Sequence, residues 1–294
     1  MHINGVEIED TFAEAFKMRA ARLLITAINP QWAMTAAQVS TGFATSVIAC
    51  GCEAGIEGVV PSDVTPDGRP GVSILIFTMG PKGMKDQLMR RVGQCIMTCP
   101  TTACFNGLEG EEWLKIGGTL RYFGDGFQAS KLVGGRRFWR IPVMQGEFLV
   151  EEQFGMKKAV GGGNFLILGE SVEATLGAAE RAVEAMHAVE GVVMPFPGGI
   201  VRSGSKTSSQ YKFLHASTNT AYCPSLRRQT DSALPEGVNS VLEIVIDGLD
   251  EDAVREATRV GVDAACRPGI VRISAGNYGG TLGQYQIHLQ ELWK

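Results

Sequence analysis

Glu243 is the residue in this chain whose setting packing alone explains least. It interrupts the apolar run Leu242–Ile246. Strand alternation places it with Val245 and Asp247 on one face, opposite Leu242, Ile244 and Ile246. If helices cover the second set, the carboxyl points to the other face of the sheet. Left open to water, it is an ordinary solvated carboxylate. Covered by another lobe or subunit, it loses solvation, its pKa rises, and it suits general acid work. Downstream lies a glycine-rich loop, Gly276–Gly283, reading GNYGGTLG. Its backbone N–H groups are expected to face a ligand, because glycine lets a main chain approach one closely.

No other residue pattern announces chemistry. A G-x-G-x-x-G turn opening a helix after a strand, G-x-x-x-x-G-K-[ST], G-x-S-x-G and H-E-x-x-H are all absent. His215, in YKFLHAST, has no sequence neighbour that marks it as a base. Ser203, Ser205, Thr207, Ser208 and Ser209 are too many for one nucleophile and suit a polar loop. The 7 cysteines include Cys50-x-Cys52 and the run Cys95, Cys99, Cys104, but no C-x-x-C pair. With only His2, His187, His215 and His288 beside them, they read as buried thiols rather than metal ligands. Arg136, Arg137 and Arg140 beside Phe138 and Trp139 suit an anionic or aromatic ligand. A partly exposed strand with solvated arginines explains the same string more simply.

Bulk properties narrow the field. The net charge of -4, without basic runs, argues against nucleic acid as a partner. No apolar run reaches membrane-spanning length, and Met1 leads into a polar, capped segment without a signal-like core. A soluble, cytoplasmic protein with no membrane partner is expected. Glycine is abundant, 37 of 294 residues, and gathers between elements.

The elements that must position Glu243 repeat. Strand Leu242–Ile246 meets an Asp247-Gly248 turn, Asp250 sits at a helix N-cap, and Pro268-Gly269 punctuates before strand Ile270–Ile273. The stretch Gly163–Gly199 has the same plan, with Ser171 answering Asp250 and Asn164 answering Glu243. Two βαβ units in series imply a split βαβ sheet with both helices on one face.

The first half repeats the order β-α-β-β-α-β. A hairpin around Asn4-Gly5 comes first. Asp10 then caps a helix over Thr11–Met18, with Glu14 near capping-box spacing. Next come strand Arg22–Ile28, a helix from Pro30, strand Ala44–Ala49, a glycine- and proline-rich excursion, strand Val72–Phe77, helix Lys82–Met97 and a last strand at Thr119–Phe123. Gly134-Gly135 marks a turn before strand Phe138–Val143. The fold class is therefore α+β, with two ferredoxin-like lobes spanning 1–147 and 148–294. The open Glu243 face, with Val245 on it, predicts a homo-oligomer.

From MHINGVEIEDTFAEAF to GGTLGQYQIHLQEL, the whole chain closely resembles the formylmethanofuran:tetrahydromethanopterin formyltransferases. EAGIEG (Glu53–Gly58), TPDGRPGV (Thr65–Val72), PTTA (Pro100–Ala103) and RISAGNYGG (Arg272–Gly280) carry it most strongly. The resemblance implies two ferredoxin-like lobes and a homotetramer built as a dimer of dimers. It also implies a cytoplasmic role in the one-carbon metabolism of methanogenesis and of some methylotrophic bacteria. The reaction it implies moves a formyl group from formylmethanofuran to N5 of tetrahydromethanopterin, or of tetrahydrosarcinapterin, by direct attack in a ternary complex. Both coenzymes are then substrates, and no permanently bound cofactor is needed. Glu243 matches a glutamate proposed as catalytic in that family. Gly276, Asn277, Tyr278, Gly279 and Gly280, with Thr101 and Thr102, are the expected coenzyme contacts. Two rival expectations are a formyltransferase subunit of a formyltransferase/hydrolase complex and a non-catalytic coenzyme-binding protein.

Overall fold

A computed structural model describes residues 1–46 and 50–294. Two units emerge, one mainly from Met1–Lys17 and Val160–Lys294, the other from Met18–Thr45 and Gly51–Ala159. The changeovers fall inside the strands Phe12–Thr26 and Phe154–Gly169. Residues 1–17 therefore fold with the C-terminal half of the chain.

In that C-terminal unit the duplicated plan is built as the spacing implies. Ser171 accepts a hydrogen bond from the Ala174 N–H at the start of helix Val172–Met186. Asp250 does the same for the Ala253 N–H at the start of helix Glu251–Ala265. Both helices lay an alanine- and valine-rich stripe on one sheet face, where Ala178, Ala182, Ala257 and Val262 pack with Phe165, Ile167, Ile244, Ile246 and Ile273. Strand Ser240–Gly248 pairs antiparallel with the Val160–Gly169 stretch and with Val192–Val193. Ile270–Ser274 pairs on the other side of Val160–Gly169. In order of appearance the strands lie 2-3-1-4, the ferredoxin-like arrangement. The N-terminal hairpin extends it. Asn4 and Gly5 turn with φ of 50° and 86°, and Val6–Ile8 lies parallel to Ile270–Ser274.

Two expectations change here. Thr11–Met18 is no helix: Phe12–Thr26 is one long strand, and Phe12–Ala15 pair with Tyr285–His288. Local capping chemistry at Asp10 and Glu14 loses to a remote strand partner, with Ala13 and Ala15 buried against Ile287. The face of the sheet opposite the helices is covered by the unit's own chain. Leu234 and Val238 bury Leu166 and Leu168 there. Val201 forms an antiparallel bridge to Glu243 through backbone hydrogen bonds of 3.0 and 2.7 Å. Arg227 holds this largely irregular segment by donating to the carbonyls of Leu234, Pro235 and Val238. The open face that suggested an oligomer is therefore partly filled from within.

The other unit repeats the 2-3-1-4 order with Met18–Thr26, Glu53–Val60, Gly71–Thr78 and Ala103–Asn106. Helices Pro30–Thr41 and Pro81–Arg91 cover it, the second continuing as a π turn over Val92–Ile96. The excursion after Cys52 contains the edge strand Glu53–Val60, its glycines marking a bulge between Ile56 and Gly58. The fourth strand is Ala103–Asn106, because Thr119–Phe123 lies within the helical turns Gly117–Leu120 and Arg121–Gly124. A Cβ on Gly117 would stand 2.0 Å from the Glu151 carbonyl oxygen, so this turn needs glycine to approach that strand. Half of the strand expected over Ala44–Ala49 falls on residues 47–49, outside the described residues, and Ala44–Ser46 form none. Strands Ala129–Val133, Arg136–Val143 and Gly146–Glu151 widen the sheet beyond Ala103–Asn106, with Gly134-Gly135 as the hairpin turn. No helix among the described residues is long and apolar enough to cross a membrane.

Candidate active cleft

Within the C-terminal unit, a cleft of about 1050 Å³ lies on the sheet face away from the helices. Glu243, Asn164 and Leu166 form its floor. Arg202, Lys206 and Tyr222 from the covering segment form one wall, and Gly276, Asn277 and Tyr278 another. The register sets Leu166 opposite Glu243 and Asn164 opposite Val245, so both slots of the repeat open into the cleft. The sequence places Glu243 and Gly276–Tyr278 far apart, and the fold brings them together.

Glu243 is half-buried in this floor. Burial alone pushes its carboxyl up to about 7, and no cation or side-chain donor among the described residues offsets that. Such a group exchanges a proton near neutrality. The Tyr278 phenol is also raised, first by burial and then by the negative charges of Glu243 and Glu14. It therefore stays a neutral O–H donor beside the carboxyl.

Six of the eight amides of the glycine loop, expected to face a ligand, are taken by acceptors within the protein. The Gly276 N–H donates to Asn164 Oδ1 at 2.6 Å, while Asn164 Nδ2 donates to the Gly276 carbonyl at 3.1 Å. The Gly279 N–H is taken by Asn277 Oδ1 at 3.1 Å. The N–H groups of Tyr278, Gly280, Leu282 and Gly283 all point at the Glu14 carboxylate. Asn277 Nδ2 ties the loop to Thr11 Oγ1 and the Phe12 carbonyl. What the loop offers the cleft is side chains, chiefly Tyr278 and Asn277. Gly279 and Gly280, at φ of 72° and 74°, make the turn and do not line the cleft.

Thr101 and Thr102 belong to the other unit. Thr101 has φ of 66°; its carbonyl accepts from Arg69 and its N–H donates to Gln145 Oε1 at 2.8 Å. Asp67 accepts from both Arg69 and Thr26, so the TPDGRPGV stretch braces this turn. The Thr102 hydroxyl is buried and donates to the carbonyls of Ile96 and Cys99, closing the preceding helical turn. The arginine string resolves toward the simpler reading, as Arg136 pairs with Glu151, Arg137 with Glu152 and Arg140 with Glu147. Cys52, Cys104 and Cys266 are buried, and burial raises each thiol. His215 is exposed, and Ser203 and Ser205 line the cleft's rim.

Sequence reasoning read Glu14 as a helix cap. Its true signal was a carboxylate flanked by Ala13 and Ala15, whose alternation fits a buried strand as well as a helix. Asn164 stood out only as the counterpart of Glu243.

Residues 1–143 match the family described as formylmethanofuran-tetrahydromethanopterin formyltransferase, and residues 146–292 match the one described as its proximal lobe. A protein of Methylococcus capsulatus named formylmethanofuran–tetrahydromethanopterin formyltransferase is 60% identical over 99% of both chains. Among solved structures, the formyltransferase of that name from Methanosarcina barkeri matches with a TM-score of 0.95 and 50% identity, over 99% of this chain and 100% of that one. A chain of the formyltransferase/hydrolase complex from Methylorubrum extorquens, solved with methylofuran, matches with a TM-score of 0.97 and 53% identity, over 100% and 99%.

Proposed function

Because the chain belongs to the formylmethanofuran–tetrahydromethanopterin formyltransferase family, we propose that Glu243 is the acid that serves formyl transfer in the cleft it floors. The enzyme is a formyltransferase of one-carbon metabolism, and its two coenzymes are substrates. The N5 lone pair of tetrahydromethanopterin attacks the formamide carbon of formylmethanofuran, and the carbonyl electrons move onto oxygen. Collapse of that intermediate breaks the bond to the methanofuran nitrogen, which must leave as an amine. Protonated Glu243 gives this nitrogen its proton, and the resulting carboxylate is returned to the acid by the proton that N5 loses. Tyr278 donates a hydrogen bond to the developing oxyanion, and Asn277 and Gly276, their polar groups paired within the protein, form the wall that the coenzymes contact. Gly279 and Gly280 act on coenzyme binding through the turn they shape, and Thr101 and Thr102 are proposed as separate coenzyme contacts within the other unit. The acyl shift changes no oxidation state, so it needs no permanently bound cofactor.

One observation carries the assignment: a carboxyl held near 7 by burial, without a countercharge, in a cleft. Its test is the pH dependence of kcat with both coenzymes saturating. Wild-type kcat is expected to fall above about pH 7 as the acid is lost, and Glu243→Gln should lack that limb. The same limb persisting in Glu243→Gln would assign the ionisation to another group.

We propose a cytoplasmic homotetramer, a dimer of dimers, with 1–147 and 148–294 as its sequence modules. The family junction between residues 143 and 146 supports the modules. Exposed Phe43, Tyr211 and Phe213 support burial against further copies. The relative solved within a formyltransferase/hydrolase complex favours a second reading, a subunit of such an assembly. Light scattering on purified protein should give the mass of four chains. A stable co-purifying hydrolase would favour the complex, and a fully active monomer would end both.

A further inference from the structure

Glu14 is fully buried, and no lysine, arginine or histidine among the described residues pairs with it. A buried carboxylate without a countercharge is costly unless hydrogen bonds replace its water. Here the replacement is backbone. The N–H groups of Tyr278, at 2.9 Å, and Gly280 converge on Oε1. Those of Leu282 and Gly283, at 3.1 and 2.7 Å, converge on Oε2. Burial raises the Glu14 pKa, but these donors outweigh it and leave the group below its usual value, so it stays charged at working pH. The Glu14 N–H also reaches the Gly276 carbonyl at 3.4 Å, so one residue grips the loop at its start and along its length. The approach is close: a Cβ on Gly283 would stand 2.8 Å from both the Ala15 carbonyl oxygen and Glu14 Cβ.

We propose that Glu14 is a positioning residue for formyl transfer: its carboxylate gathers the 278–283 turn and so fixes Tyr278 beside Glu243 on the wall of the cleft. Glu14 itself lies behind the loop and does not line the cleft. It acts on the reaction only through the residues it holds. The kinetic consequence rests on Glu243 serving as the acid; the placement of Tyr278 does not.

Glu14→Gln tests this. The side chain keeps its shape, but its NH₂ now meets two N–H donors head-on. We expect kcat to fall about 10²-fold, the scale of a misplaced reacting group, with a smaller rise in KM for either coenzyme. The pH midpoint of kcat should drop from about 7 toward the ordinary carboxyl value of 4.5 as Glu243 gains water. The other ionisable groups that line the cleft are Glu9, Arg202, Lys206, Tyr222, Cys223 and Tyr278. A merely structural loss would lower the active fraction and leave the midpoint where it was. Glu14→Asp, which keeps the charge, should restore part of kcat, and it takes over as the test if the Gln variant does not fold.

A second reading separates the two proposals. Near-ultraviolet titration, with Tyr278→Phe to identify the signal, should find the Tyr278 phenol ionising at lower pH in Glu14→Asp, which keeps the negative charge but shortens the grip on the loop, than in wild type. If wild-type kcat shows no limb near 7, the Glu243 reading fails and this titration alone decides on Glu14. An unmoved Tyr278 titration, or unchanged kcat and midpoint per folded molecule, overturns the positioning role.

Discussion

Glu243→Gln should lower kcat by about 10²–10⁴, the usual worth of a general acid, with little change in KM for either coenzyme. Glutamine fills the same space and keeps one oxygen, so the floor formed with Leu166 and Asn164 stays intact. What it removes is a proton that can be given up. The competing role, a structural carboxylate tied to an arginine, has no geometric support, since no cation among the described residues reaches Glu243. A folded variant within threefold of wild-type kcat would remove Glu243 from the chemistry. Tyr278, Asn277 and substrate positioning would then have to carry the reaction.

The same substitution should stabilise the protein, and more so as pH rises. Burial lifts the folded pKa of Glu243 from 4.5 to about 7. Between those values the folded state binds more protons than the unfolded state, so this group's contribution is fully present below pH 4.5 and is lost as pH rises through 7. Above pH 7 the wild type carries a desolvated charge that glutamine does not. The difference between variant and wild type is expected to grow by about 1–3 kcal/mol between pH 5 and pH 8, discounted because the residue is only half-buried. For a chain this long that is a rise of several degrees in Tm. Melts at both pH values decide it. A difference that stays flat with pH would mean the carboxyl is solvated in the folded protein. Activity and stability would thus move in opposite directions through one oxygen-for-nitrogen exchange.

The duplicated βαβ plan was legible because its signals are local. Ser171 and Asp250 each accept from an N–H three residues ahead, and Pro268-Gly269 stops a helix from within a few residues. The face of Glu243 followed from alternation alone. What covers that face did not, since the 201–238 segment has little regular periodicity and is held by contacts such as those of Arg227 with three carbonyls. Glu14 was misassigned for a related reason. Its helix-like neighbours are adjacent in sequence, whereas the partners that make it a strand residue lie at 278–288. The glycines of 276–283 announced a tight loop but carried no information about where its amides point. Thr119–Phe123 has strand-forming residues, yet the glycines before it close a helical turn against Glu151.

The two βαβ copies share a plan but differ in chemistry at one matched floor position, Asn164 in the first and Glu243 in the second. Asn164 both accepts from and donates to Gly276, which an amide does in one orientation and an ionised carboxylate cannot. Glu243, at the matching slot, has a proton to exchange and no anchoring task beyond its backbone bridge to Val201. Two carboxylates would leave the glycine loop without its donor and set like charges side by side. Two amides would hold the loop above a floor with nothing to ionise. The difference is what lets a duplicated scaffold keep one copy as mount and the other as reagent.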